Sequence, residues 1–303
     1  MIAARAVAVG VALAAAGPAA AAPAVVAVVN GGADVRAAVL VGPSGELYEP
    51  DRQGAWARRS GGGVAIEVVG AVQAGDAVYA AGASTPMYRR RDGVWAAVRF
   101  GQRGRPLIGR GPLPSVAIGR QVFVLSRGKW IRVGEAPEGA TALWAGGERN
   151  VAVIAAGAAW RLRGYAFARL PRPTGAVDVF GDQPWALAAA GAQHLDRGRA
   201  VAVATPGATV VAAAAVADTV WLLVAPASGP LVLERHGKTS ENVPTDIPAS
   251  TGLAGMIADA QGKVLIAARD GTIWIWADGA WAPGRVANAL PAGPAGPAPA
   301  HTR

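Results

Sequence analysis

Eleven cations and a single acid stand between Arg89 and Arg132: Arg89, Arg90, Arg91, Arg99, Arg103, Arg105, Arg110, Arg120, Arg127, Lys129 and Arg132 against Asp92. The excess of ten in this segment is larger than the net +9 of the whole 303-residue chain. A guanidinium carries a rigid fork of donors that fits a carboxylate or a phosphate. The chemistry this pattern suits is therefore capture of anions, with no bond broken. Arg89, Arg90, Arg91, Arg99, Arg103, Arg105 and Arg110 are the candidate ligand-binding residues. Much of the charge falls in RFGQRGRPLIGRGPLP, a Gly/Pro-rich run that reads as a linker exposed on a rim.

The residue types that perform catalysis are thin by comparison. There is no cysteine, hence no thiol nucleophile, thiolate metal site or disulfide. Of the three histidines, His194 takes a slot held by Trp or Tyr in sister repeats, so it reads as packing. His236 sits in LERHGKTSEN, which reads as a solvated turn, and His301 lies in the C-terminal tail. No HExxH, no G-x-S-x-G and no D-x-D-x-D-G calcium loop occurs. Asp92, Asp259, Asp270 and Asp278 all stand in turn sequences, where Asp accepts backbone hydrogen bonds. No catalytic residue, metal ligand or cofactor is assigned.

What must position the arginines is a repeat. Segments with an aromatic, then a second aromatic or apolar residue seven or eight positions on, recur as Tyr48–Trp56, Tyr88–Trp95, Trp160–Phe167 and Trp274–Trp281, with a degraded copy at His194–Val201. β-rich runs precede each, and Asp92-Gly93, Asp270-Gly271 and Asp278-Gly279 suit two-residue hairpins. One marker per unit gives Tyr48, Tyr88, Trp130, Trp160, His194, Val232 and Trp274, a mean spacing of about 38 residues. Four short strands per unit and seven units predict an all-β chain forming a single β-propeller, with six or eight blades left open. Unit three, SVAIGRQVFVLSRGKWIRVG, lacks an obvious fourth strand.

The segment IADAQGKVLIAARDGTIWIWADGAW resembles blades of bacterial exported propellers of the two-component-regulator type, with Asp259, Gly262, Gly271 and Trp274 matching a D-x-x-G, Gly-turn, aromatic-strand pattern. The propellers of quinone enzymes and of outer-membrane assembly share the tryptophan rhythm but have a longer turn before the Trp. The resemblance implies binding of a ligand or protein and no shared chemistry.

Residues 1–24, MIAARAVAVGVALAAAGPAAAAPA, have the n-region, short apolar core and A-x-A sites (after Ala21 or Ala24) of a secretory signal peptide. The propeller is expected over residues 25–290 and a disordered Pro/Ala/Gly tail over 291–303. Ala208–Ala227 is apolar but carries Asp218 at its centre, so two strands and a turn are expected there and no transmembrane span. Together these predict an exported, periplasmic or extracellular, non-catalytic binding or scaffolding module. Its partner would be lipopolysaccharide, acidic polysaccharide, anionic lipid or an acidic protein. Nucleic acid is not expected, because no stacking motif accompanies the arginines. The alternative is a propeller hydrolase or lyase whose acids converge on the central channel.

Overall fold

The computed structural model describes residues 25–29, 34–51, 55–58, 67–82, 87–196 and 200–286. The expected signal peptide and tail, and the last residues of the expected domain, lie outside them. Among the described residues, twenty-eight strands form seven four-stranded antiparallel sheets, each built from four consecutive strands. The only helical element among them is a single 3-10 turn, Val35–Ala37. This is a seven-bladed β-propeller.

The first strands of the blades lie innermost: Ala27–Val29, Val68–Ala74, Pro106–Ile108, Ala140–Gly147, Ala176–Phe180, Thr209–Val216 and Leu253–Ala258. They are mostly Ala, Val, Leu, Ile and Gly, with few bulky or polar residues. In blades two, four, five, six and seven the inner strand carries a bulge at its second or third residue: Val69, Thr141, Val177, Val211 and Ala254. A like irregularity near the start of five inner strands bends each of them there. Apolar clusters fill each seam between neighbouring blades, so no blade has to cover its own faces.

Turn chemistry follows the expectation. Asp92 and Gly93 have φ of 51° and 81°, and Asp278 and Gly279 have 54° and 79°, as a tight hairpin requires. Asp270 instead accepts the Thr272 amide at 2.9 Å. Asp259 is a staple between blades. Its Oδ1 accepts the amides of Gln261 and Lys263, and its Oδ2 accepts the Val35 amide of blade one at 3.2 Å. Asp182 does the same from blade five to the Ala217 amide of blade six. The ring closes between blades seven and one through these contacts and a parallel bridge from Trp56 to Val286. Thr209–Val216 and Thr219–Ala225 form the strand pair expected in place of a membrane span.

Blade three corrects the sequence reading twice. It has four strands, the first being Pro106–Ile108 inside the supposed linker. Pro is tolerated there because it opens the strand. Trp130 lies on the fourth strand, Lys129–Glu135, and the third-strand aromatic is Phe123. Phe123 stands 35 residues after Tyr88 and 37 before Trp160, which removes the apparent irregularity of the period.

Candidate groove at the seam of blades three and four

The basic segment divides into three groups. Arg110 is the first. Beyond Ile108 the chain leaves its sheet and crosses to blade four, where the Arg110 amide bonds to the Leu143 carbonyl at 2.8 Å and the Leu113 amide to the Ala145 carbonyl at 3.0 Å. Gly111 permits this approach, since a Cβ there would stand 2.1 Å from the Ala145 oxygen. The Arg110 guanidinium bonds to Asp178 on the inner strand of blade five. Burial lowers its pKa, and the Asp178 carboxylate pulls it back up. A buried arginine held by a buried acid is not a rim ligand, so Arg110 leaves the candidate patch.

The second group is on blade two. Arg90 is only 4% exposed and joins the interior, which also removes it from the patch. Arg89 is exposed on the third strand, Met87–Arg91. Arg91 is exposed at the end of that strand, 3.4 Å from Asp76 and 3.7 Å from Asp92.

The third group is the loop that connects blade two to blade three, with Arg99, Arg103 and Arg105 all exposed. Consecutive antiparallel strands place this loop at the opposite end of the sheet from Arg91. The seven arginines therefore do not share one surface. Within the loop, Gly104 approaches the turn Gly119–Arg120 so closely that a Cβ would stand 3.1 Å from the Gly119 amide nitrogen. Basic charge thus continues from the loop to Arg120.

Arg120 borders a groove of about 770 Å³. One wall is the outer strand of blade three, with Arg132, Val133, Gly134 and Glu135; the other is Trp160, Tyr165 and Phe167 of blade four. Arg120 Nε bonds to the Ala136 carbonyl at 3.1 Å, which fixes its stem at the rim. Arg132 Nη2 bonds to Glu135 Oε1 at 2.6 Å, so part of its charge is answered within the wall. Tyr165, at the tip of the hairpin that joins the third strand (Ala158–Arg163) to the fourth (Ala166–Thr174), is 85% exposed. The indole N–H of Trp160 has no hydrogen-bond partner among the described residues.

This groove was not expected, although part of its signal is in the repeat. The strand register aligns Trp160, Leu162 and Phe167 of blade four with Trp274, Trp276 and Trp281 of blade seven. Two tryptophans have become smaller residues, which leaves space.

The histidines do not build a second site. His194 is buried edge-on against Trp185, with Nε2 2.7 Å from Gln183 Oε1. His236 is not solvated as expected. It ends a strand, largely buried, with Nε2 3.2 Å from Glu234 Oε2. Among the described residues no group of three His, Cys, Asp or Glu stands close enough to hold a metal. No described helix is long and apolar enough to cross a membrane.

The architecture and the groove define the chain as a seven-bladed propeller with a side-facing, basic and aromatic cleft. No protein-family model matches the chain, and no curated protein matches it in sequence. Among solved structures it is similar to virginiamycin B lyase from Staphylococcus aureus in an inactive form with quinupristin, at 14% identity and a TM-score of 0.58, over 78% of this chain and 89% of that one. A streptogramin B lyase structure is similar at 12% identity and 0.58, over 77% and 87%. YCF48 from Cyanidioschyzon merolae is similar at 16% identity and 0.55, over 80% and 91%. At such identities the likeness extends to the fold.

Proposed function

We propose that this chain is an exported, non-catalytic binding module that takes an anionic ligand along the basic edge of blade three. The observation that carries the reading is the continuity of Arg99, Arg103 and Arg105 with Arg120 and Arg132 at the mouth of the groove. Among the described residues none of the first three meets a carboxylate, whereas Arg91 and Arg110 do. Unanswered guanidinium groups on one edge attract polyanions and lower the salt tolerance of the complex formed. Export rests on the composition of residues 1–24.

The lyases that share the fold raise the alternative of an enzyme working in the channel. The only acid on the described inner strands is Asp178, and it already holds Arg110. That geometry supports binding over catalysis. The test is titration of purified protein with acidic polysaccharide, lipopolysaccharide and anionic vesicles across a salt series, beside the Arg99→Ser/Arg103→Ser/Arg105→Ser variant. Affinity should fall about tenfold in the variant at low salt, the sum of three exposed ion pairs. Equal binding by both proteins would remove the basic edge from any function.

A further inference from the structure

Resting on that reading, we infer that the ligand is an acidic glycan whose uronate-type rings enter the groove between blades three and four. Its carboxylates would meet Arg120 and Arg132, and its sugar faces would lie on Tyr165 and Trp160.

Three features of the groove select this chemistry. The first is the mixture of its walls. An aromatic face presents an apolar plane, and a pyranose ring offers C–H groups of matching size on one side and hydroxyls around its rim. Trp160, Tyr165 and Phe167 supply that plane opposite the two guanidinium groups. A ligand that is charge alone would gain nothing from the aromatic wall.

The second is the modest charge inside. Arg132 already shares its guanidinium with Glu135, so the groove offers one full cation and one partly answered. Such a site suits rings bearing one carboxylate each. A phosphate cluster with several charges would find too few partners here.

The third feature is the continuation of positive charge beyond the groove. The exposed Arg99, Arg103 and Arg105 extend the same edge beyond the groove, so a chain of several acidic rings would be tracked.

The experiment is calorimetric titration of purified protein with a galacturonic-acid oligomer, its methyl ester, poly-glutamate and phosphatidylglycerol vesicles. The proteins compared are wild type, Tyr165→Ala, Trp160→Phe and the triple arginine variant. Tyr165 is a solvated tip, so its loss leaves the fold intact. The expected result is binding of the acid oligomer, at least tenfold weaker for the ester and about fivefold weaker for Tyr165→Ala. Trp160→Phe keeps a ring but shortens the apolar plane lining the groove and should weaken binding about threefold. If the oligomer binds but only the triple variant weakens it, the glycan assignment falls and the basic edge stands. Tighter binding of poly-glutamate or vesicles also overturns the glycan assignment, in favour of a peptide or a lipid surface. If no anion binds, both readings fall.

Discussion

Two seams of the ring are held together at opposite ends. Between blades six and seven the outer end is sealed. Trp281 and Trp276 pack 5.3 Å apart, and the Trp281 indole donates to the Pro244 carbonyl at 2.8 Å across the seam. Between blades three and four the same repeat positions hold Phe167 and Leu162, and the outer end stays open as the groove. That seam is held from within, by the Arg110 and Leu113 amides on the inner strand of blade four and by Arg110 on Asp178. A propeller can open one seam for a ligand if its inner end is fastened by other means.

The largest effect should come from cutting the inner fastening. Asp178→Ala leaves the Arg110 guanidinium buried without its acid, and breaking such a pair costs about 3–5 kcal/mol. Urea unfolding should show that loss. A loss below about 1 kcal/mol would mean that the pair does not hold the open seam.

Next comes the closed seam. Trp281→Ala removes a half-buried ring and an inter-blade hydrogen bond and should cost about 2 kcal/mol. Phe167→Ala, at the same repeat position in the open seam, should cost less, because Phe167 makes no such bond. Equal losses would erase the distinction between the seams.

Phe167→Trp sharpens the comparison by enlarging the wall of the groove towards the closed pattern. Anion binding should weaken several-fold while the unfolding midpoint stays within about 1 kcal/mol of wild type. Unchanged affinity would show that the ligand does not enter the groove.

The smallest effect concerns a third seam, between blades seven and one, where Asp34 accepts the Arg36 amide and lies 3.3 Å from Lys263 Nζ. Burial alone would raise its pKa, but those partners outweigh it and the net shift is downward. A carboxyl with a depressed folded pKa adds stability above its unfolded value of about 3.9, and that stability is lost as pH falls through the folded pKa. Between pH 5 and pH 3, Asp34→Asn should therefore lose less stability than wild type. An identical acid profile would remove Asp34 from the seam.

The ring was legible because strand rhythm and turn chemistry repeat locally. Tyr88, Trp160 and Trp274 mark third strands, and Asp-Gly pairs mark hairpins, without reference to the rest of the chain. The inner strand Pro106–Ile108 was hidden because three residues in a Gly/Pro-rich run give no periodicity. The basic patch was only partly legible, since side-chain fate depends on distant partners. Arg110 meets Asp178 from 68 positions away, and no local pattern reports that. Arg91 and Arg99 are close in sequence yet leave opposite ends of one sheet, a consequence of strand direction. The groove could have been suspected from Leu162 and Phe167 standing where Trp276 and Trp281 stand. Its second wall, the Arg132–Glu135 edge, comes from another repeat.

The most direct measurement is the affinity of purified protein for an acidic polysaccharide against salt concentration, beside the Arg99→Ser/Arg103→Ser/Arg105→Ser variant. The account predicts binding that weakens steeply with salt in wild type, and a weaker, flatter dependence in the variant. Superimposable curves, or no binding at low salt, would contradict it.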